Sequence, residues 1–325
     1  MQLAVSQKTD TGLKRRNNQD NMMYIDQNHF KLFVVADGMG GYSGGEIASE
    51  IAISSIKSTF ENKGENLFKP LKYSITQANR NIYMEASKNP EKYKGMGTTV
   101  VALAIKNNKA YIAHVGDSRI YLHRNNSLMR LTRDHSKIQR MIDSGIIHQK
   151  DAQNHPEANI ITRALGINTG VNIEVPNKHI DIQINDIFLL CSDGLCGKIS
   201  DESIEAVFNH KNHVDDICEQ LFQKALDAGG DDNITVQLIQ VESLDSINKK
   251  TKKNSKEKKT IMNWIKKNMF AFIFIILAGL LVLNYTPMNF FQSAQDEMQS
   301  ILNTPVKIPK INEVKKQADD MMDNI

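Results

Sequence analysis

The residues best suited to chemistry in this 325-residue chain are acids set in turns. Asp37 follows the apolar run Phe33-Val34-Val35-Ala36 and precedes Gly38-Met39-Gly40-Gly41. Asp193 leaves a second apolar run, Leu189-Leu190-Cys191-Ser192, and precedes Gly194. Gly229-Gly230-Asp231-Asp232-Asn233 and Asn17-Asn18-Gln19-Asp20 carry further acids, and Asp117 stands in Gly116-Asp117-Ser118-Arg119. Acids placed at the ends of core strands repel one another unless something positive lies between them. Hard divalent cations, which take oxygen ligands, meet that need. The glycines after Asp37 do not make a phosphate-binding loop. No Gly-Lys-Ser/Thr follows, and the spacing is not that of a dinucleotide site.

Apolar periodicity supplies the elements that must hold these acids. Residues 32–36 and 186–191 read as buried strands, and 233–241 as a final strand. Residues 45–60, 70–85, 201–209 and 214–228 read as helices. Residues 98–105 and 110–115 are β-rich and flank Lys106-Asn107-Asn108-Lys109; residues 119–122 and 128–131 flank Asn125-Asn126. Asparagine tolerates left-handed backbone, so both connections predict antiparallel hairpins. This order does not repeat βαβ units, which argues against a doubly wound parallel sheet. Residues 135–165 are polar, contain Gly145 and Pro156, and read as a mobile subdomain with one helix over 136–144.

Charge divides the chain. Up to Ile247 there are 27 Lys+Arg against 30 Asp+Glu, and from Asn248 onward 13 against 7. Lysines run from Lys249 to Lys267 with Glu257 as the only acid between them. Residues 269–283 are apolar and uncharged, and extension towards Phe291 gives the length of a membrane span. Trp264 and Tyr285 suit interface anchors, and the lysines predict a cytoplasmic side before the span. A buried core helix is the competing reading of this run. No aromatic-interleaved basic surface points to nucleic acid. Three cysteines, Cys191, Cys196 and Cys218, lack metal-site spacing and suit a reducing compartment. The N-terminus has no basic and long apolar leader, so no signal peptide is expected.

Taken in order, the motifs resemble those of the metal-dependent protein phosphatase family, the protein phosphatase 2C-like serine/threonine phosphatases of bacterial type. They are residues 15–20, Val35-Ala36-Asp37-Gly38-Met39-Gly40-Gly41, Gly97-Thr98-Thr99, His114-Val115-Gly116-Asp117-Ser118-Arg119, residues 131–136, residues 161–166, Ser192-Asp193-Gly194 and residues 230–235. The resemblance covers residues 2–241. It implies an α/β (α+β) fold: a central sandwich of two antiparallel sheets flanked by helices on both faces. To this the sequence adds a single C-terminal transmembrane helix. The expected division is a catalytic domain over 1–243 with a flap over 135–165, a lysine-rich linker over 244–267, a span over 268–288 and an extracytoplasmic tail over 289–325.

The resemblance also implies the site. Asp37 bridges two Mn²⁺ or Mg²⁺ ions, the Gly38 carbonyl serves one of them, and Asp193 and Asp232 each ligate one. Asp20 holds the outer shell, and Asp117 with Asp193 marks a third, weaker metal position. Asp231 is passed over for the residue directly before Asn233. Arg15 is the implied phosphate-binding arginine, with Arg16 the less favoured neighbour. Arg15, Asp37 and Asp193 are thus the implied catalytic set. Two cations acidify a water, which attacks the phosphorus of phosphoserine or phosphothreonine without a phosphoenzyme. Eukaryotic relatives often carry His where Met39 stands, and methionine cannot donate a proton. Gln19 replaces a Glu of some relatives. His114 and His135 match no metal-ligand role.

The expected partners are phosphoproteins made by a cognate bacterial serine/threonine kinase, together with membrane lipid. The catalytic domain is expected to be monomeric, facing the cytoplasm from the inner membrane. A catalytically weak phosphoprotein receptor, or a phosphatase dedicated to one regulatory partner, are the alternatives.

Overall fold

A computed structural model describes residues 1–245, except 28, 62–63, 153–154 and 211–212. The expected linker, membrane span and tail therefore lie outside the described residues. Among the described residues no helix is long and apolar enough to cross a membrane.

The strands are β1 (Gln2–Asp10), β2 (Asp20–Gln27), β3 (Phe30–Met39), β4 (Gly97–Thr98), β5 (Val100–Lys106), β6 (Lys109–Val115), β7 (Arg119–Arg124), β8 (Ser127–Arg130), β9 (Ile180–Asp181), β10 (Ile187–Cys191) and β11 (Ile234–Ser243). The helices are α1 (Gly41–Thr59), α2 (Phe68–Lys88), α3 (Lys137–Asp143), α4 (Asp193–Cys196), α5 (Asp201–His210) and α6 (Val214–Asp227). One sheet runs β1-β11-β10-β7-β8; the other runs β2-β3-β5-β6-β9, with β4 added beside β3. Neighbouring strands pair antiparallel throughout.

Alternation along each strand builds three apolar layers, because successive side chains point to opposite faces. Phe33 and Val35 of β3 meet Ile120, Leu122, Phe188, Leu190, Ile239 and Val241 between the sheets. Leu32, Val34 and Ala36 face the other way, onto Ala48, Ala52 and Ile56 of α1 and Leu71, Ile75 and Ile82 of α2. Leu189 and Cys191 pack outward against Ile204, Val207, Ile217 and Leu221 of α5 and α6. The expected sandwich with helices on both faces is thus formed.

The predicted hairpins turn on asparagines in left-handed conformation: Asn107 and Asn108 have φ 52° and 58°, and Asn125 and Asn126 have φ 53° and 58°. Two boundaries differ from expectation. Helix α1 begins at Gly41, four residues before the predicted start. Its first turn holds four glycine, tyrosine and serine residues of weak helix propensity, and tertiary packing overrides that. Helix α2 begins at Phe68 rather than Pro70 and runs on to Lys88. Proline is tolerated in a first turn, where its missing N–H has no partner to lose.

The end of β3 meets the first turn of α1 glycine against glycine. A Cβ on Gly38 would lie 2.1 Å from the Gly45 carbonyl oxygen and 2.5 Å from that of Gln19. Both obstacles are backbone, so neither can swing away. Gly38→Ala is therefore expected to destabilise the chain by more than about 3 kcal/mol, read as a shifted urea midpoint. A loss under about 1 kcal/mol would contradict the contact.

Candidate active site

The acids converge because they continue the inward-facing positions of the sandwich. Phe33 and Val35 point between the sheets, and two residues further along the same face comes Asp37. On the neighbouring strand Asp20 pairs in register with Asp37. Across the sandwich, Asp193 follows β10 as the first residue of α4, and Asp232 lies just before β11. Asp117 sits in the turn between β6 and β7.

Each acid is held differently. Ser192 Oγ and Thr235 Oγ1 both donate to Asp20 Oδ2, each at 2.7 Å. Asp20 Oδ1 is buried and has no hydrogen-bond partner. Around Asp37 the backbone is fixed: its N–H donates to Thr99 Oγ1 at 3.1 Å, and its carbonyl accepts from Thr99 N at 2.8 Å and Thr98 Oγ1 at 2.8 Å. Asp232 Oδ2 accepts from Arg15 Nη2 at 2.7 Å. Asp231 pairs instead with Lys198 at 2.8 Å.

Burial and mutual repulsion act on these carboxyls in one direction. Burial, reinforced by Asp193 and Asp232, pushes Asp20 up to about 7 against the pull of its two hydroxyl donors. Asp37 is driven well above the carboxylate range by burial, then by Asp20, Asp193, Asp117 and Asp232. Burial followed by Asp193 and Asp134 does the same to Asp117. Asp193 is raised by burial and then Asp232, with Arg15 and Lys198 opposing. A cluster whose members each resist ionisation is a cluster short of positive charge.

Several residues that frame the site carried no role in the sequence reading. Asn233 Nδ2 donates to the carbonyls of Thr11 and Asn17 at 2.9 and 3.0 Å, while its Oδ1 accepts from Gln19 N at 2.8 Å. One side chain thereby clamps the loop that carries Arg15. Its place directly after Asp232 was the available signal. Arg119 forks onto Asp134, with Nη2–Oδ2 2.7 Å, and its Nη1 reaches Tyr121 OH at 3.0 Å. Gln19 Nε2 donates to the Gly41 carbonyl at 3.2 Å.

The predicted flap contains α3, capped by Ser136, which accepts from Gln139 N at 3.2 Å. Ser136 also bridges Ile161 within the flap. The flap's ends are tied to the body by His135 N–H, which donates to the Gly116 carbonyl at 2.9 Å, and by the Thr98–Leu165 bridge. A cavity of about 500 Å³ opens between flap residues such as Ile138 and Asn159 and the α4–α5 segment, with Asp117 and Asp193 in its wall.

His114, His135 and Glu174 bring ligand-type atoms within 4.8 Å of one another, the one such cluster of its kind among the described residues. Proton bookkeeping argues against a metal there. Gly116 N–H donates to His135 Nδ1 at 3.1 Å, which makes that nitrogen an acceptor and puts the ring proton on Nε2. Nε2 lies 3.0 Å from Glu174 Oε2, to which this tautomer donates, and 3.1 Å from Arg163 Nη1. A metal on Nε2 would demand an imidazolate or the loss of the Gly116 bond. Burial lowers both histidines from their ordinary value, which favours the neutral rings. The rings stack with centroids 4.7 Å apart. The expectation that they serve packing and polar contacts fits this arrangement. Glu174 had no motif to announce it.

A family model for protein phosphatase 2C matches residues 14–238. The chain belongs to the protein phosphatase 2C family. It is similar to serine/threonine phosphatase stp of Listeria welshimeri, with 36% identity over 239 residues, 72% of this chain and 94% of that protein. Among solved structures, the Mycobacterium tuberculosis serine/threonine phosphatase PstP/Ppp superposes with a TM-score of 0.68 at 33% identity, covering 74% of this chain and 99% of that one. A structure of the PstP catalytic domain in complex with two manganese ions gives a TM-score of 0.65 at 31% identity, covering 74% of this chain and 99% of that one. The converging acids of this protein phosphatase 2C member occupy the ends of its sandwich strands.

Two measurements check the electrostatics and the histidine. A carboxyl whose pKa rises on folding takes up a proton as the chain folds. Its stabilising effect is complete below the ordinary value of 3.8 and is lost as pH rises through about 7 for Asp20. In chelator, the urea midpoint is expected to fall between pH 5 and 8, and Mn²⁺ should raise it most at pH 8; a midpoint that climbs with pH in chelator would contradict this. For His135, an Asn amide oxygen can replace the Nδ1 acceptor, whereas Gln cannot. His135→Gln should cost about 2 kcal/mol and His135→Asn less, because only the former strands the Gly116 N–H. The reverse order would sink the tautomer assignment.

Proposed function

We propose that this chain is a metal-dependent phosphatase that hydrolyses phosphoserine and phosphothreonine in proteins. One observation carries the reading: the buried Asp20 and Asp117 and the half-buried Asp37 and Asp193 all hold carboxyls raised by desolvation and by neighbouring acids. The donor set is carboxylate and carbonyl oxygen, without Cys or His, which fits Mn²⁺ or Mg²⁺ and not a thiolate-seeking metal. The orphaned Asp20 Oδ1 fits the same need. In this reading Asp37, the Gly38 carbonyl, Asp193 and Asp232 hold two ions, Asp20 supports them from the outer shell, and Asp117 with Asp193 holds a third. When bound, the ions supply Lewis acidity, which makes water a nucleophile near neutral pH and neutralises phosphoryl oxygens.

The chain's own groups do the rest. Arg15 keeps one edge of its guanidinium on Asp232, at 2.7 Å. The remaining donors stay exposed and suit the oxygens of a phosphoryl group, where a planar fork outperforms a point charge. Asn233 orients Arg15 by fixing its loop. No neighbouring side chain offers a proton to the leaving oxygen: Met39 has none, and the N–H groups of His114 and His135 face Arg133 O and Glu174. Water is then the acid. A receptor without catalysis would not need every one of these acids, and their full complement favours the enzyme.

The setting is also part of the proposal. Residues 1–243 form the catalytic domain, with 135–165 as a flap that borders the site and shapes substrate choice. Residues 244–267 form a basic linker that meets anionic lipid, 268–288 cross the inner membrane once, and 289–325 lie outside the cytoplasm. Support comes from the lysine run ahead of the uncharged apolar segment. The substrates are phosphoproteins of a bacterial serine/threonine kinase, met at the cytoplasmic face by a monomeric catalytic domain.

The full chain in Mn²⁺ is expected to hydrolyse p-nitrophenyl phosphate and a phosphothreonine peptide, and to stop when the metal is chelated. Asp37→Asn and Asp193→Asn should each lower kcat/KM about a thousandfold. Asp231→Asn, which breaks only the outer Lys198 pair, should stay within about twofold. Turnover that survives chelation, or phosphopeptide binding with no turnover, would overturn the assignment.

A further inference from the structure

Met39 replaces a proton donor with an apolar side chain beside the acids, and its surroundings give that change a use. Side chains two apart on a strand share a face, so Met39 stands beside Asp37, about 6–7 Å further along β3. Its register partner is Gly97 of β4, which has no side chain. A Cβ at Gly97 would lie 2.9 Å from Met39 Cε and 3.0 Å from Ile167 Cδ1. Met39 and Ile167 therefore close over the same buried glycine and stand side by side.

Ile167 is 41% exposed, and the segment before it is fixed. Leu165 and Thr98 exchange backbone hydrogen bonds at 2.8 and 3.1 Å. Gly166 N donates to the buried Asn79 Oδ1 at 2.9 Å. A single exposed isoleucine is ordinary. One secured through the two residues before it, and laid against an apolar side chain next to the reaction centre, meets whatever docks there.

What docks is constrained by the reaction. A phosphoprotein must bring its phosphorylated residue to the acids, and consecutive Cα atoms are only ~3.8 Å apart. The residues directly before and after it therefore pass within side-chain reach of this pair. We infer that Met39 and Ile167, packed side by side over Gly97, form a shelf that binds an apolar side chain flanking the phosphorylated residue of the substrate. The shelf selects substrates by that neighbour. This rests on the phosphatase reading of the site. A Leu laid on the shelf removes apolar surface from water on both sides. An Asp or Lys there would lose hydration and find no partner.

The test uses the full chain in Mn²⁺ with phosphothreonine peptides that differ only at the residue before or after the phosphothreonine, Leu or Ser. The wild-type chain is expected to prefer Leu at one of these two positions by about tenfold in kcat/KM, the scale set by partial burial of a few methylenes. Ile167→Ser and Met39→Gln should each bring that ratio below about twofold. The ratio is taken within each variant, so a general loss of activity cancels. A wild-type ratio near one at both positions, or a preference that survives both substitutions, overturns the shelf. In either case, chelator-sensitive hydrolysis of p-nitrophenyl phosphate leaves the phosphatase reading standing. Inactivity towards that compound as well as both peptides would overturn the phosphatase reading and the shelf together.

Discussion

Repulsion among carboxyls at one end of the sandwich is the constraint that the rest of this structure serves. Left to themselves, acids with raised pKa values would separate or stay protonated. Asp37 and Asp193 cannot separate, because each directly follows a fully buried run. Val35 and Ala36 precede Asp37, Leu190 and Cys191 come just before Ser192 and Asp193, and all four are without exposure. To move an acid outward, a strand would have to withdraw apolar side chains from the layer between the sheets or from the helix faces. Each such side chain is worth roughly 1.5–3 kcal/mol of burial. The apolar layers thus hold a charge arrangement that is unfavourable by itself.

The loops obey the same logic with hydrogen bonds instead of apolar contact. The segment from Thr11 to Gln19 has few buried side chains to anchor it. Asn233 satisfies two of its carbonyls and one of its N–H groups. Asn18 adds a bond to Thr9 Oγ1 at 2.9 Å, and Thr9 in turn meets Thr235 Oγ1 at 2.7 Å. Thr235 also holds Asp20. A single polar chain therefore runs from the arginine loop to the acid beneath it, and both sheets contribute to it. Such a network fixes the distance between a phosphate-binding cation and the acidic centre more tightly than loop packing alone could.

Most of this was legible in the sequence where local chemistry decides. Paired asparagines announced both hairpins, and buried runs ending in Asp-Gly announced the acids Asp37 and Asp193. Convergence itself came only from the family resemblance, since nothing in the spacing of residues 20, 37, 117, 193 and 232 states that they meet. Helix α1 began earlier than its apolar spacing indicated, because its first residues, Gly41-Tyr42-Ser43-Gly44, carry no apolar period and little helix propensity. Glu174 was invisible for a related reason: its role is a contact with His135, 39 residues away in sequence, and a lone acid in a polar stretch has no pattern. Arg15 was legible as a cation near the site, but its pairing with Asp232 depends on the fold.

Asp20 shows how far the site departs from what stability alone would select. One of its oxygens receives two hydroxyl donors, and the other is buried without any. A fold optimised for the chain by itself would place an Asn or a third donor there, since an unsatisfied buried acceptor costs about 1–3 kcal/mol. The hydroxyls fix the carboxyl's orientation through one oxygen and leave the other without a partner. That division makes sense if the free oxygen meets a group brought from outside, such as the solvent shell of a cation. The same acid that weakens the empty protein is then the one already oriented when the cations arrive.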